Sequence, residues 1–164
     1  MAAFLEKQPV DLAVVLVHPQ IPPNTGQIAR LCACNAIPLH LIRPLGFSLA
    51  ESRLKRAGLD YWERVSMQAH DSWEHFLEGE GVQTKEMVGF SARARRPFWD
   101  QSFLGKRYLL FGSETKGLPE ALHQNPDLDM VTIPQLEPSA RCLNLASAAS
   151  IGVYEVLRQK REQS

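Results

Sequence analysis

The chain alternates short, densely apolar runs with longer segments whose apolar residues recur at helical spacing. After Asp11, residues 12–17 (LAVVLV) form a continuous apolar run rich in Val and Leu. This is the pattern of a strand covered on both faces, and it predicts a first strand over 11–17. Residues 24–35 predict a helix, with Ile28, Leu31, Cys32 and Asn35 at helical spacing. Asn24 or Thr25 stands where it would cap that helix after Pro22-Pro23. Residues 38–42 (PLHLI) read as a second strand, and 50–57 as a short basic helix ended by Gly58. A short strand is expected around Val65. A helix over 71–78 is expected to open at Asp71 and close near Gly79. Residues 86–91, 107–112 and 129–133 are further strands, and the last helix covers about 143–160. Strand and helix in alternation predict an α/β fold: a mainly parallel sheet with helices on both faces.

Composition narrows this picture. At 164 residues the chain is expected to be a single domain, 1–164, long enough to bury a core. Its hydrophobic fraction of 45% and the absence of low-complexity tracts argue against disorder. The formal net charge is zero, so overall charge signals no nucleic-acid partner and only local basic patches are left to meet one. No apolar run reaches the length of a membrane span. Glu6, Lys7 and Asp11 before the first apolar run fit a strand better than a secretory leader. Three cysteines without a dense framework suggest a reducing, cytoplasmic setting.

In open parallel sheets ligands bind beyond the carboxyl ends of the strands. Three loops there carry unusual residues: HPQIPPNTGQIAR (18–30), FGSETKGLP (111–119) and IPQLEPSARCLN (133–144). The first has a structural account in its prolines, its cap and Gly26, but that account leaves Arg30 unexplained. The second resembles a phosphate loop only loosely. GxxxxGK[ST], GxGxxG and GxSxG are all missing, so P-loop, Rossmann and α/β-hydrolase readings have no support. The third leads into a helix built largely from Ala, Ser and Gly. In SARARRPFW (91–99), Arg93, Arg95 and Arg96 stand beside Phe98 and Trp99, a combination suited to phosphates and unstacked bases. Arg53, Lys55 and Arg56 form a second basic cluster, 53 and 56 sharing a helix face. Cys32-x-Cys34 has no second pair at zinc spacing, the five histidines form no HExxH set, and no metal is expected.

Taken together and in order, IPPNTGQIARLCA, RPLGF, RLKRAGLDYW, LFGSETKGLP and IPQLEPSARCLNLASAASIGVYEVLRQ resemble the SPOUT class of RNA methyltransferases, specifically the SpoU/TrmH family. The likeness covers most of the chain, from about residue 12 to 159. It implies a C-terminal deep trefoil knot, a homodimer, and S-adenosylmethionine bound at the knot. The implied activity is 2′-O-methylation of ribose in tRNA at wobble position 34, on cytidine or 5-carboxymethylaminomethyluridine. Ribosomal RNA, another tRNA position and a non-catalytic RNA-binding dimer are the alternatives.

Carried onto this chain, the resemblance places the cofactor against Phe90, Ser91, Gly112, Ile133, Cys142 and Leu143, mostly through main-chain groups. Arg30, Asn24, Glu114 and Asn144 fall at the family's catalytic and substrate-positioning places, and Tyr154 at the site or the dimer contact. Arg53, Arg56, Arg93, Arg95 and Arg96, with Lys55 and Arg107, are the candidates for holding RNA. Two residues depart from the family pattern: Cys142 stands where Ser is usual, and Ser113 where Pro is common.

Overall fold

A computed structural model describes residues 10–49, 64–137 and 139–162. The basic cluster Arg53, Lys55 and Arg56, and the helix expected over 50–57, lie outside the described residues.

Seven strands form one sheet: β1 (Ala13–Val17), β2 (Leu39–Ile42), β3 (Met67–His70), β4 (Met87–Phe90), β5 (Arg96–Pro97), β6 (Tyr108–Phe111) and β7 (Asp129–Thr132). Their order is β3-β2-β1-β6-β4-β7-β5, and every described pairing is parallel. The continuous apolar runs predict this, because a strand with helices above and below has no polar face. β1 is buried at all five positions.

Among the described residues, four α-helices accompany the sheet: α1 (Pro22–Asn35), α2 (Trp73–Glu80), α3 (Glu120–His123) and α4 (Leu145–Arg161). Val14 and Leu16 of β1 point into a core with Ile28, Ala29 and Cys32 of α1 and with Ala149, Val153 and Val156 of α4. Ala13, Val15 and Val17 point the other way, onto Phe76 of α2 and Leu122 of α3. Helices therefore cover both faces. Cys32 is fully buried, as its place on the apolar face of α1 predicts, and burial pushes its thiol up to about 12.

Three element boundaries differ from expectation. α1 starts at Pro22, one turn's fraction earlier, because prolines tolerate the first helical positions, where no N–H bond is needed. Its N-cap is Ile21, and Asn24 and Thr25 lie inside the helix. α2 is capped by Ser72, whose hydroxyl accepts from the His75 N–H, and ends at Gly81 with φ +61°, so neither Asp71 nor Gly79 marks its limits. β3 begins at Met67, just past Val65. The short β5 within the arginine-rich loop has no apolar alternation to announce it; it pairs only along β7.

The thin last helix has a packing cause. Register sets Phe90 beside Phe111 on adjacent strands, and the rings stack with centroids 4.8 Å apart. A Cβ at Gly152 would stand 2.9 Å from Phe90 Cζ and 3.2 Å from Phe111 Cζ. The two rings occupy the volume that larger side chains on α4 would need.

Candidate active site

β1, β6, β4 and β7 are consecutive in the sheet, so the loops leaving their carboxyl ends converge. They enclose a cavity of about 440 Å³, within the ordinary range for a small-molecule site. All six residues expected at the cofactor line it: Phe90, Ser91, Gly112, Ile133, Cys142 and Leu143. Asn24, Glu114 and Asn144 line it as well.

The loop after β6 is held as a tight turn. Ser113 N–H donates to the Gly117 carbonyl at 3.1 Å, and Gly117 N–H returns a bond to the Ser113 carbonyl at 2.9 Å. A Cβ at Gly112 would lie 2.0 Å from the Gly117 carbonyl carbon and 2.1 Å from Leu118 N. Only glycine lets the returning backbone pass here, and the same passage leaves main chain rather than side chain facing the cavity.

Glu114 projects from this turn and accepts three bonds. Its Oε2 takes the Gln20 N–H at 2.8 Å; its Oε1 takes the Ile21 N–H at 3.1 Å and the Asn24 side-chain amide at 3.2 Å. The carboxylate thus serves the amino end of α1, which has no side-chain cap of its own, and sits where the helix dipole favours negative charge. Asn24 passes the pattern on: its Oδ1 accepts from the Asn144 side-chain amide at 2.9 Å. Asn144 Oδ1 in turn accepts from Ala146 N–H at 2.8 Å and Ser147 N–H at 3.4 Å, capping α4.

The order of donors is forced. An ionised carboxylate can only accept, so Asn24 must turn its NH₂ to Glu114 and its oxygen to Asn144. Asn144 must then give its NH₂ to Asn24, which frees its oxygen for the helix. One directional chain ties three loops together around a largely buried Asn24, 6% exposed.

Arg30 is not brought into this group. It is exposed on α1 and does not line the cavity. Six residues beyond Asn24, it stands about 9 Å farther along the helix axis. Tyr154, on α4, is 57% exposed and also outside the lining.

The arginine cluster is more engaged than its composition suggests. Arg93 lines the cavity and pairs with Glu120 at 2.7 Å, a bond that holds the Glu120 carboxyl below the usual carboxylate range. Arg96 lies 3.6 Å from Asp129, and Arg107 pairs with Asp11 at 2.9 Å. Arg95 and Trp99 are exposed.

Sequence reasoning missed Thr132, Gln135, His123 and Lys116, which also line the cavity. Gln135 donates to the Arg141 carbonyl at 3.0 Å and so closes the loop that carries Cys142 and Leu143. A Gln three residues beyond β7 carries no chemical signature, so only the folded loop reveals it. A second cavity of about 470 Å³ adjoins the first across the 113–117 turn, with His18, Gln20, Arg93 and Lys116 in its wall.

Known proteins share this design. The family model described as the SpoU rRNA Methylase family matches residues 11–154. A tRNA (cytidine(34)-2′-O)-methyltransferase of Burkholderia cenocepacia is 45% identical over 147 residues, which is 89% of this chain and 94% of that protein. A solved structure reported as "Structural insights into the 2-OH methylation of C/U34 on tRNA" superposes with a TM-score of 0.83 at 44% identity, covering 92% of this chain and 97% of that one. The fold is shared more widely: AviRb of Streptomyces viridochromogenes, a SpoU methyltransferase solved with AdoMet, matches with a TM-score of 0.79 at 23% identity over 98% of this chain and 63% of that one. The family model spans residues 11–154 and relatives at about 45% identity match nearly the whole length, and the chain belongs to the SpoU methylase family.

Proposed function

We propose that this chain transfers a methyl group from S-adenosylmethionine to the ribose 2′-hydroxyl of tRNA at wobble position 34, on cytidine or 5-carboxymethylaminomethyluridine. The observation that carries the reading is the Glu114–Asn24–Asn144 chain of hydrogen bonds at the edge of the 440 Å³ cavity. The names of relatives at about 45% identity supply the substrate.

The cavity fits the cofactor. Phe90, Ile133 and Leu143 offer apolar surface for a purine. The Gly112 main chain lies open because no side chain can be placed there. When bound, S-adenosylmethionine supplies a methyl already activated by its sulfonium. The protein's work is then alignment and charge. Asn24, Glu114 and Asn144 fix the loops that frame the reacting hydroxyl, so that it lies in line with the methyl. Arg30 offers RNA a planar guanidinium with several N–H donors. It binds the phosphate next to the target ribose or stabilises the developing alkoxide.

RNA approaches over the adjoining cavity, where Lys116 and Arg93 lie. A homodimer completes this surface, and the exposure of Tyr154 and Leu143 supports a second copy. The C-terminal segment is taken as a trefoil knot in the same reading.

Nucleoside-resolved mapping of 2′-O-methylation in RNA from a deletion strain tests the assignment. The expected result is loss of the mark at position 34 of tRNA alone. Loss confined to ribosomal RNA or to another tRNA position would move the substrate, and an unchanged RNA would point to a binding protein without transfer activity.

A further inference from the structure

On the face of the sheet away from α1 and α4, three residues outside the cavity come together. His40 belongs to β2, His70 ends β3 and Glu80 ends α2. His40 and His70 are 4% and 2% exposed. His40 Nδ1 lies 2.9 Å from His70 Nε2 and 3.9 Å from Glu80 Oε1. One ligand atom from each residue falls within 4.8 Å of the others. Phe76 packs against both rings, with centroids 5.3 and 5.1 Å away, so most of the wall is apolar. Glu80, its side chain 25% exposed, opens the cluster to solvent on one side.

A hydrogen-bonded pair of core histidines would account for the 2.9 Å contact. It does not account for a carboxylate brought to 3.9 Å, beyond hydrogen-bond reach, on the same ring nitrogen. Two imidazole nitrogens and one carboxylate oxygen are a donor set suited to zinc.

We propose that His40, His70 and Glu80 form a structural site for a divalent transition-metal ion of the zinc type. With both nitrogens at about 2.0–2.1 Å from an ion, their present spacing subtends about 90° at the metal; opening it by a few tenths of an ångström reaches tetrahedral geometry. One ring changes tautomer, so that both facing nitrogens present lone pairs without net loss of a proton. Glu80 swings inward from its partly exposed position, and water entering beside it takes the fourth place. The ion pins α2 and the edge strand β3 to β2. No sequence spacing announces the site, because its three donors come from three separate elements.

The test uses the full chain stripped with a chelator, then titrated with Zn²⁺ and separately with Mg²⁺. Metal content is read by mass spectrometry, affinity by calorimetry and stability by thermal unfolding. One Zn²⁺ per chain and a raised Tm are expected, with no response to Mg²⁺. Glu80→Gln and His70→Gln should each weaken zinc binding more than about tenfold, while S-adenosylhomocysteine binding stays unchanged and shows that both variants are folded. Absence of stoichiometric zinc in the wild-type chain would overturn the proposal, as would binding that survives both substitutions.

Discussion

At the scale of single residues the site depends on direction as much as on identity. Asn24 donates to Glu114 and accepts from Asn144, a pair of roles an aspartate cannot fill. Asn24→Asp would set two carboxylates about 3 Å apart around a largely buried position. It is therefore expected to reduce methyl transfer more than Asn24→Ala does, a comparison that single-turnover assays of the two variants would decide. Arg30 makes the opposite case. Because it lies outside the cavity lining, Arg30→Ala should abolish transfer while S-adenosylhomocysteine affinity stays within about twofold. A calorimetric titration in which cofactor binding also disappeared would place Arg30 on the cofactor side. Cys142 is exposed at the cavity wall, and on the reading that its main chain meets the cofactor, Cys142→Ser should retain most of its activity in the same assay. Of these roles, the sequence alone revealed only residue types. Asn24 looked like a helix cap, and it is one link removed from capping: Glu114 serves α1 and Asn144 caps α4, with Asn24 between them. Contacts between residues 90 and 120 positions apart leave no periodic trace, which is why family resemblance, rather than spacing, pointed to them.

At the scale of elements, the strands were legible and the helix ends were not. Apolar runs such as 12–17 and 108–111, short and set between polar or turn residues, fit a strand buried on both faces, and their bounds came within a residue or two. The start of α1 went astray because its cap is supplied from residue 114, and β5 because a two-residue strand has no alternation to read. The composition of α4 posed a question that only packing answers. Gly152→Ala would gain up to about 1 kcal/mol of helix propensity but press on Phe90, a cavity residue held by the Phe111 stack. Adding two further carbons makes the clash decisive. Gly152→Val is expected to cost about 1–3 kcal/mol, the range for overpacking a tight core, and to weaken cofactor binding as Phe90 is displaced. Urea unfolding paired with calorimetry would separate the two losses; an unchanged cofactor affinity in a destabilised variant would show that Phe90 does not move.

At the scale of the molecule, a chain of zero net charge must hold a polyanion through local groups, several of which already have acidic partners. Asp129 is a hub of this kind, 2.8 Å from Lys106 and 3.6 Å from Arg96. The Lys106 bond holds its carboxyl below the usual range. A folded-state value below the unfolded one stabilises the protein at every pH above the unfolded value, near 4, and that contribution is lost as pH falls from there through the lower folded value. Wild-type stability should therefore fall more steeply than that of Asp129→Asn on acidification from about pH 5, while the variant is the less stable of the two at neutral pH. Denaturant midpoints measured across that interval would show the two curves converging. Parallel curves would mean that the Lys106 contact adds nothing measurable to folding.

The hydrogen-bond chain from Glu114 to Asn144 also has a consequence in time. A ribosome delivers Asn24 first, Glu114 much later, and Asn144 only with the final helix. Until that segment has emerged and settled, the Asn24 oxygen lacks the Asn144 donor and α4 lacks its cap. A nascent chain cannot possess a partial version of this site. Competence to act on RNA therefore waits for the segment that carries Asn144.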